Sequence, residues 1–404
     1  MQPRHVLDGF KVLDLTQYLA GPSASRLLVE MGAEVIKVEI APGGDPTRLL
    51  PFNKNNRSCY YVQQNRGKKS LCLDVRSAKG LHILKELVKQ CDVLLENFSP
   101  GAIARLGLGY DVVKALNPQI VMCSISGFGQ TGPLSDLQGI DIIAQAYAGV
   151  TDMIGVKDGP PVLPLLSLGD VNTGVHAVAA INAALLNRTR TGKGQWLDIS
   201  LVDCYYHSHE INVHISSASG GTVVPKRSGA HHYGVCPLGA FKGANRYLML
   251  MGSLHFWEPL CRLMGRDDLI ADPRYDTNAS RCANAEALIA IIEAWIQSHN
   301  DDDAVVKKMQ DARIPCAPVL TVPETIAHPH FRERRTVRAI HDRLAGEFDI
   351  PGMPLRFSDY AEITDLDAPF LGEHNEEILG DYLALSAQEV AALTAEGVLA
   401  QGDN

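Results

Sequence analysis

Phe10-Lys11-Val12-Leu13-Asp14-Leu15 is the stretch on which the fold turns. It is a short apolar run of the β type. Ala20-Gly21-Pro22 follows as a breaker, and residues 23–31 then carry Leu27, Leu28 and Met31 at helical spacing. Gly32-Ala33 closes that helix, and Glu34-Val35-Ile36-Lys37-Val38-Glu39 alternates as a second strand. A β-loop-α-β unit at the head of a chain is the start of a parallel, Rossmann-like sheet.

The pattern continues outward. Residues 70–74 read as a strand, and residues 77–90 as an amphipathic helix with Leu81, Ile83, Leu84, Leu87 and Val88 on one face. Residues 92–97 form the next strand, residues 110–116 a helix stopped by Asn117-Pro118, and residues 120–125 another strand. Beyond residue 217 the texture changes. Gly220-Gly221, Pro225 and Gly229 mark a loop, residues 240–249 read as a hairpin, and residues 256–264 and 286–298 are helical. Ala317-Pro318-Val319-Leu320 returns the chain to the first domain. The expected fold is α/β. A large Rossmann-like domain is built from residues 1–224 and completed by 326–404, with a smaller α+β domain at 225–325.

With 404 residues, 46% hydrophobic and 21% charged, the chain has the balance of a globular protein. A net charge of −9 argues against a nucleic-acid partner. It leaves room for a local basic pocket at Lys68-Lys69 or residues 188–193. The 9 cysteines contain no C-x-x-C pair and read as unpaired thiols of a reducing compartment. The first residues lack an apolar signal core, and Asn172, Thr173, His176 and Asn182 interrupt the longest weakly polar run. A cytoplasmic protein with no membrane partner is expected. His231-His232 has no third ligand at metal-site spacing, so no metal is expected.

Two local motifs bear on chemistry. Gly127-Phe128-Gly129-Gln130-Thr131-Gly132 fits G-x-G-x-x-G after a strand, but Pro133 follows and no amphipathic helix opens there. It reads as a turn-forming loop, not a nicotinamide site. Ser167-Leu168-Gly169-Asp170 precedes a helix at residues 171–186. Asp170 is therefore either a plain N-cap or a carboxylate that the helix dipole keeps ionised for nucleophilic attack. Local sequence leaves both open.

Several further motifs stand in order. They are Gly9-Phe10-Lys11-Val12-Leu13-Asp14-Leu15-Thr16, Ala20-Gly21-Pro22, Gly44-Asp45-Pro46-Thr47-Arg48, Glu96-Asn97-Phe98-Ser99-Pro100-Gly101, Arg105-Leu106-Gly107, the Gly127–Pro133 loop, Leu168-Gly169-Asp170 and Leu371-Gly372-Glu373-His374. Together they resemble the class III CoA-transferase family, the formyl-CoA transferase and carnitine CoA-transferase (CaiB/BaiF) type. The resemblance implies that Asp170 attacks a donor acyl-CoA, passing through an aspartyl anhydride and an aspartyl-CoA thioester before an acceptor acid takes the CoA. It implies that Asn97, Phe98 and Arg105 hold the nucleotide part of CoA. Ala20 and Leu73 would line the CoA cleft, with Arg76 and Gln138 beside them. CoA is then substrate, no cofactor is tightly bound, and two chains interlock as a homodimer.

The resemblance also carries departures. Formyl-CoA transferase has Gln where this chain has Leu19, and Arg where it has Ile40. Its lid of consecutive glycines is missing, and the Gly252-Ser253 turn is the candidate replacement. Related α-methylacyl-CoA racemases carry a His-Asp pair where this chain has Ile140-Asp141, and isoleucine cannot act as a base. CoA transfer is the expected activity. The alternatives are acyl-CoA racemisation and a non-catalytic acyl-CoA-binding role.

Overall fold

The computed structural model describes residues 4–50 and 52–403. The chain divides into two compact units. The first comprises residues up to Ala148, Leu165–Ser208 and Pro329 onward; the second comprises Gly149–Pro164 and His209–His328.

The first unit is built on six parallel strands: β1 (Lys11–Asp14), β2 (Glu34–Ile40), β3 (Lys69–Leu73), β4 (Val93–Glu96), β5 (Val121–Ser126) and β6 (Gln195–Ser200). Their spatial order is 3-2-1-4-5-6. This is the doubly wound order, which reverses direction between β1 and β4. Strands covered on both faces read as continuous apolar runs, and Val93, Leu94 and Leu95 are all fully buried. One core spans β1 to β5, the helix Ala78–Gln90, and the C-terminal residues Ile378, Leu379 and Leu399.

Three details differ from the sequence reading. Helix α1 runs Ala20–Glu30, so Ala20-Gly21-Pro22 is its first turn, not a breaker before it. Proline is tolerated there because a first-turn N–H has no partner to lose. The alternation of β2 does not mean solvent on one side. Lys37 and Glu39 are buried, Lys37 paired with Asp45 and Glu39 with Arg48. The helix expected at residues 171–186 is α2 here, Leu168–Thr191, and starts earlier. It crosses α1 at Gly174, where a Cβ would sit 2.1 Å from the Ser23 hydroxyl. Close helix approach requires glycine there.

The second unit has its own antiparallel sheet of β7 (Leu238–Lys242), β8 (Tyr247–Met251) and β9 (Cys316–Pro318). The β7–β8 turn is held by Asp302, whose carboxylate accepts the N–H groups of Ala244, Asn245 and Arg246. Chain passes into this unit at residue 209, not 225. Within it Tyr233 donates to Asn212 and Arg227 bonds Asp152, which ties residues 209–224 and 149–164 to this unit. The Gly252 N–H donates to Pro237 and Ser253 is fully buried, so that turn is accounted for by packing in its own unit.

All nine cysteines are unpaired. Among the described residues no helix is long and apolar enough to cross a membrane, and no three His, Cys, Asp or Glu gather to hold a metal ion.

Candidate active site

The carboxyl ends of β1 and β4 diverge at the point where the strand order reverses, which is where open α/β sheets bind ligands. A cleft of about 350 Å³ opens there. Tyr18, Leu19 and Ala20 wall it from the end of β1, and Asn97 to Pro100 from the end of β4. Ile125 to Gly127, Leu137 to Asp141, Asp170 and Leu201 complete it.

Local chemistry sets these walls. Asn97 donates to the Gln17 carbonyl and accepts from the Gln17 N–H, both at 2.8 Å. Its amide thus clamps the loop after β1 as a neighbouring strand would. The next residue, Tyr18, adopts φ +64° and is exposed at the cleft mouth. A non-glycine residue in that region is sparsely populated, and such positions concentrate at functional sites. Asp14 anchors the same loop from below through the Thr16 N–H and hydroxyl. Asp14 is buried, yet Lys68 and Lys37 outweigh that burial and pull its pKa down to about 2.

Asp170 is the third residue of α2, not its cap; Ser167 occupies the cap position without a side-chain bond. The capping carboxylate comes from elsewhere. Asp141 accepts the Gly169 N–H at 3.1 Å and the Tyr205 hydroxyl. Gly169 is obligatory, since a Cβ would meet the Tyr205 ring at 2.1 Å and Asp141 Oδ1 at 2.5 Å. Asp170 is thereby released from capping and faces the cleft.

The expectation that the helix end keeps Asp170 strongly ionised needs correction. Burial, then the neighbouring charge of Asp141, push its carboxyl up to about 7. Asp141 already takes a first-turn N–H, so less of the helix end is left to favour a second anion. The group is poised near neutrality. Tyr60 in turn feels Asp170: burial first, then the charge of Asp170, push its phenol up to about 12.

Of the residues singled out in the sequence, the cleft gathers Asp170, Ala20, Asn97, Phe98 and Gln138. Leu73, Arg76 and Arg105 do not line it. Leu73 is fully buried at the end of β3 against Leu399. Arg76 is exposed beyond β3, and Arg105 is exposed on the short helix Ala102–Arg105 that follows Pro100-Gly101. Ile140 lines the cleft and brings no titratable group to it. Leu19 lines it too, whereas Ile40 packs against the apolar core. Sequence reasoning missed Tyr205 and the capping role of Asp141. No local pattern announces a contact between residues so far apart in the chain.

The comparisons with known proteins agree among themselves. A family model described as CoA-transferase family III matches residues 7–375. The mouse succinyl-CoA:glutarate CoA-transferase is 34% identical, over 98% of this chain and 90% of its own length. A formyl-CoA:oxalate CoA-transferase of Streptomyces coelicolor is 36% identical, over 97% of this chain and 99% of its own. Among solved structures, a CaiB/BaiF family protein from Brucella suis superposes with a TM-score of 0.82 at 34% identity, covering 94% of this chain and all of that one.

Proposed function

The chain belongs to CoA-transferase family III and moves coenzyme A from an acyl-CoA to a free carboxylic acid; from that premise we propose that Asp170 performs the transfer covalently. Its carboxylate oxygen attacks the donor thioester carbon and expels CoA thiolate, leaving an acyl-aspartyl anhydride. The thiolate then attacks the Asp170 carboxyl carbon, expels the donor acid, and forms an aspartyl-CoA thioester. The acceptor carboxylate attacks that thioester, and the returning thiolate takes the acceptor acyl group and restores Asp170. Thioester and anhydride are both activated acyl groups, which suits a sequence that must run in either direction.

The observation that carries this reading is the division of labour between two carboxylates. Asp141 caps the helix, and Asp170 stands in the switch-point cleft with a pKa near 7. A nucleophile of that pKa is available at neutral pH without being inert as a strongly stabilised anion. Ala20, Asn97, Phe98 and Gln138 are proposed as the CoA walls, Leu73 as support beneath them. Arg105 and Arg76 are proposed as flanking cations for phosphate, a role suited to a planar guanidinium. Leu19 in the cleft favours acyl groups other than formyl or oxalyl. Racemisation lacks its base at Ile140.

A cytoplasmic homodimer is part of the same proposal. Ile142, Ile143, Leu168, Val171 and Val175 stand exposed around Asp170, an apolar surface of the kind a partner chain covers.

The test is trapping. Enzyme incubated with succinyl-CoA, acetyl-CoA or another donor is quenched with hydroxylamine or borohydride and digested. Mass spectrometry is expected to find the modification on the Asp170 peptide and none in Asp170→Asn. Solvent deuterium entering the acyl α-carbon with Asp170 unmodified would instead establish isomerase chemistry.

A further inference from the structure

Beneath the cleft a row of three polar side chains crosses adjacent strands in register. Glu96 on β4 pairs with Ser124 on β5, which pairs with Asp198 on β6. Register partners in neighbouring parallel strands share a sheet face, about 4.8 Å apart. Its first two members are joined by a hydrogen bond. The Ser124 hydroxyl bonds Glu96, and Ser124 Oγ accepts the Trp196 indole N–H at 3.0 Å. The Trp196 ring stacks on Tyr110 at 5.9 Å.

Each acid at the ends of the row holds a different loop. Glu96 accepts the Phe98 N–H at 2.8 Å, and Asp198 accepts the Gln130 N–H at 2.9 Å. The first loop is the Asn97-to-Pro100 wall of the cleft. Glu96 is only 1% exposed, and burial, opposed by its bonds to Ser124 and the Phe98 N–H, pushes its carboxyl up to about 7. A buried carboxyl is costly, and an apolar residue would serve the sheet as well. What an apolar residue could not do is hold the Phe98 N–H.

We propose that Glu96 is a positioning residue for acyl-CoA, fixing the Asn97–Pro100 wall through the Phe98 N–H and through Ser124. This rests on the reading of the cleft as the CoA site, and Phe98 itself is the member of the wall that Glu96 orients. The role is distinct from chemistry, because Glu96 lies under the wall and does not line the cleft. Its loss acts on CoA affinity and leaves the step at Asp170 alone.

The experiment uses the full-length enzyme, free coenzyme A as the probe for Kd by calorimetry, and succinyl-CoA for KM and kcat. Glu96→Ala is expected to raise Kd and KM about tenfold or more, with kcat within about threefold of the parent. Glu96→Gln keeps an oxygen for the Phe98 N–H and is expected to restore Kd to within about threefold. Ser124→Ala keeps the Glu96 bond to the Phe98 N–H while removing the Ser124 support, and is expected to raise Kd severalfold at unchanged kcat. That variant decides the matter if Glu96→Ala does not fold. An unchanged Kd in Ser124→Ala, or a loss in Glu96→Gln as large as in Glu96→Ala, overturns the positioning role. Phe98→Ala separates the two levels: if it binds CoA like the parent, the cleft assignment fails, whatever the Glu96 variants show.

Discussion

At the scale of residues, the site depends on two carboxyls in unlike surroundings. Asp141 receives a backbone N–H and a phenol; Asp170 receives burial and the charge of Asp141. Unlike surroundings are how one protein can assign separate tasks to the same functional group. The sign of the consequence is fixed. Under the proposed mechanism only ionised Asp170 attacks a thioester, so the rate of its acylation is expected to rise with pH through about 7 and to level off above it. Asp141→Asn removes the second cause and leaves the larger one, burial. The midpoint is therefore expected to fall by about half a unit to one unit and to stay above the ordinary carboxylate value. Single-turnover labelling of Asp170 across pH measures it. A midpoint that does not move would mean that the charge of Asp141 is screened from Asp170, and that burial alone sets the nucleophile.

At the scale of elements, the loop that mimics a dinucleotide fingerprint has a plain steric purpose. Gly127 and Gly139 face each other so closely that a Cβ on Gly139 would lie 2.6 Å from the Gly127 Cα. This backbone contact presses the end of β5 against the segment that carries Asp141. Gly139→Ala forces backbone apart, and it is expected to cost about 1–3 kcal/mol of stability and to lower the acylation rate at least tenfold. Thermal melting and the labelling assay read the two effects; wild-type labelling in a destabilised variant would show that the contact serves folding alone. The strands and most helices were legible because buried parallel strands are nearly continuous apolar runs and the covering helices keep their period. The start of α2 was not, since Gly169 looks like an interruption until Tyr205 and Asp141 are seen against it. The burial of Lys37 and Glu39 was not legible in the alternation of their strand, because their partners Asp45 and Arg48 come from a later segment. The Asp170 site was legible only as a set of ordered motifs. The carboxylate that caps its helix lies 28 residues away in the chain, and the row of Glu96, Ser124 and Asp198 is created by strand register.

At the scale of the molecule, the large core of each unit is of a different kind. The core of the first unit joins β1 to β5 with Ile378, Leu379, Val398 and Leu399, so it is complete only when the C-terminal segment has returned. The core of the second unit is drawn from Cys236 to Cys316, with no member in common with the first. Contacts of long sequence separation close slowly, and a contiguous segment with its own core can open by itself. Leu260 is fully buried in the second core, and its truncation leaves a cavity that costs about 2–5 kcal/mol. In Leu260→Ala that loss is expected in the amides of β8, at Leu248 and Leu250, when opening free energies are measured by native-state hydrogen exchange. The amides of Leu94 and Leu95 in β4 are expected to keep their parental protection. Equal losses in both strands would mean that the chain opens as one cooperative body, with the two cores coupled in spite of their separate membership.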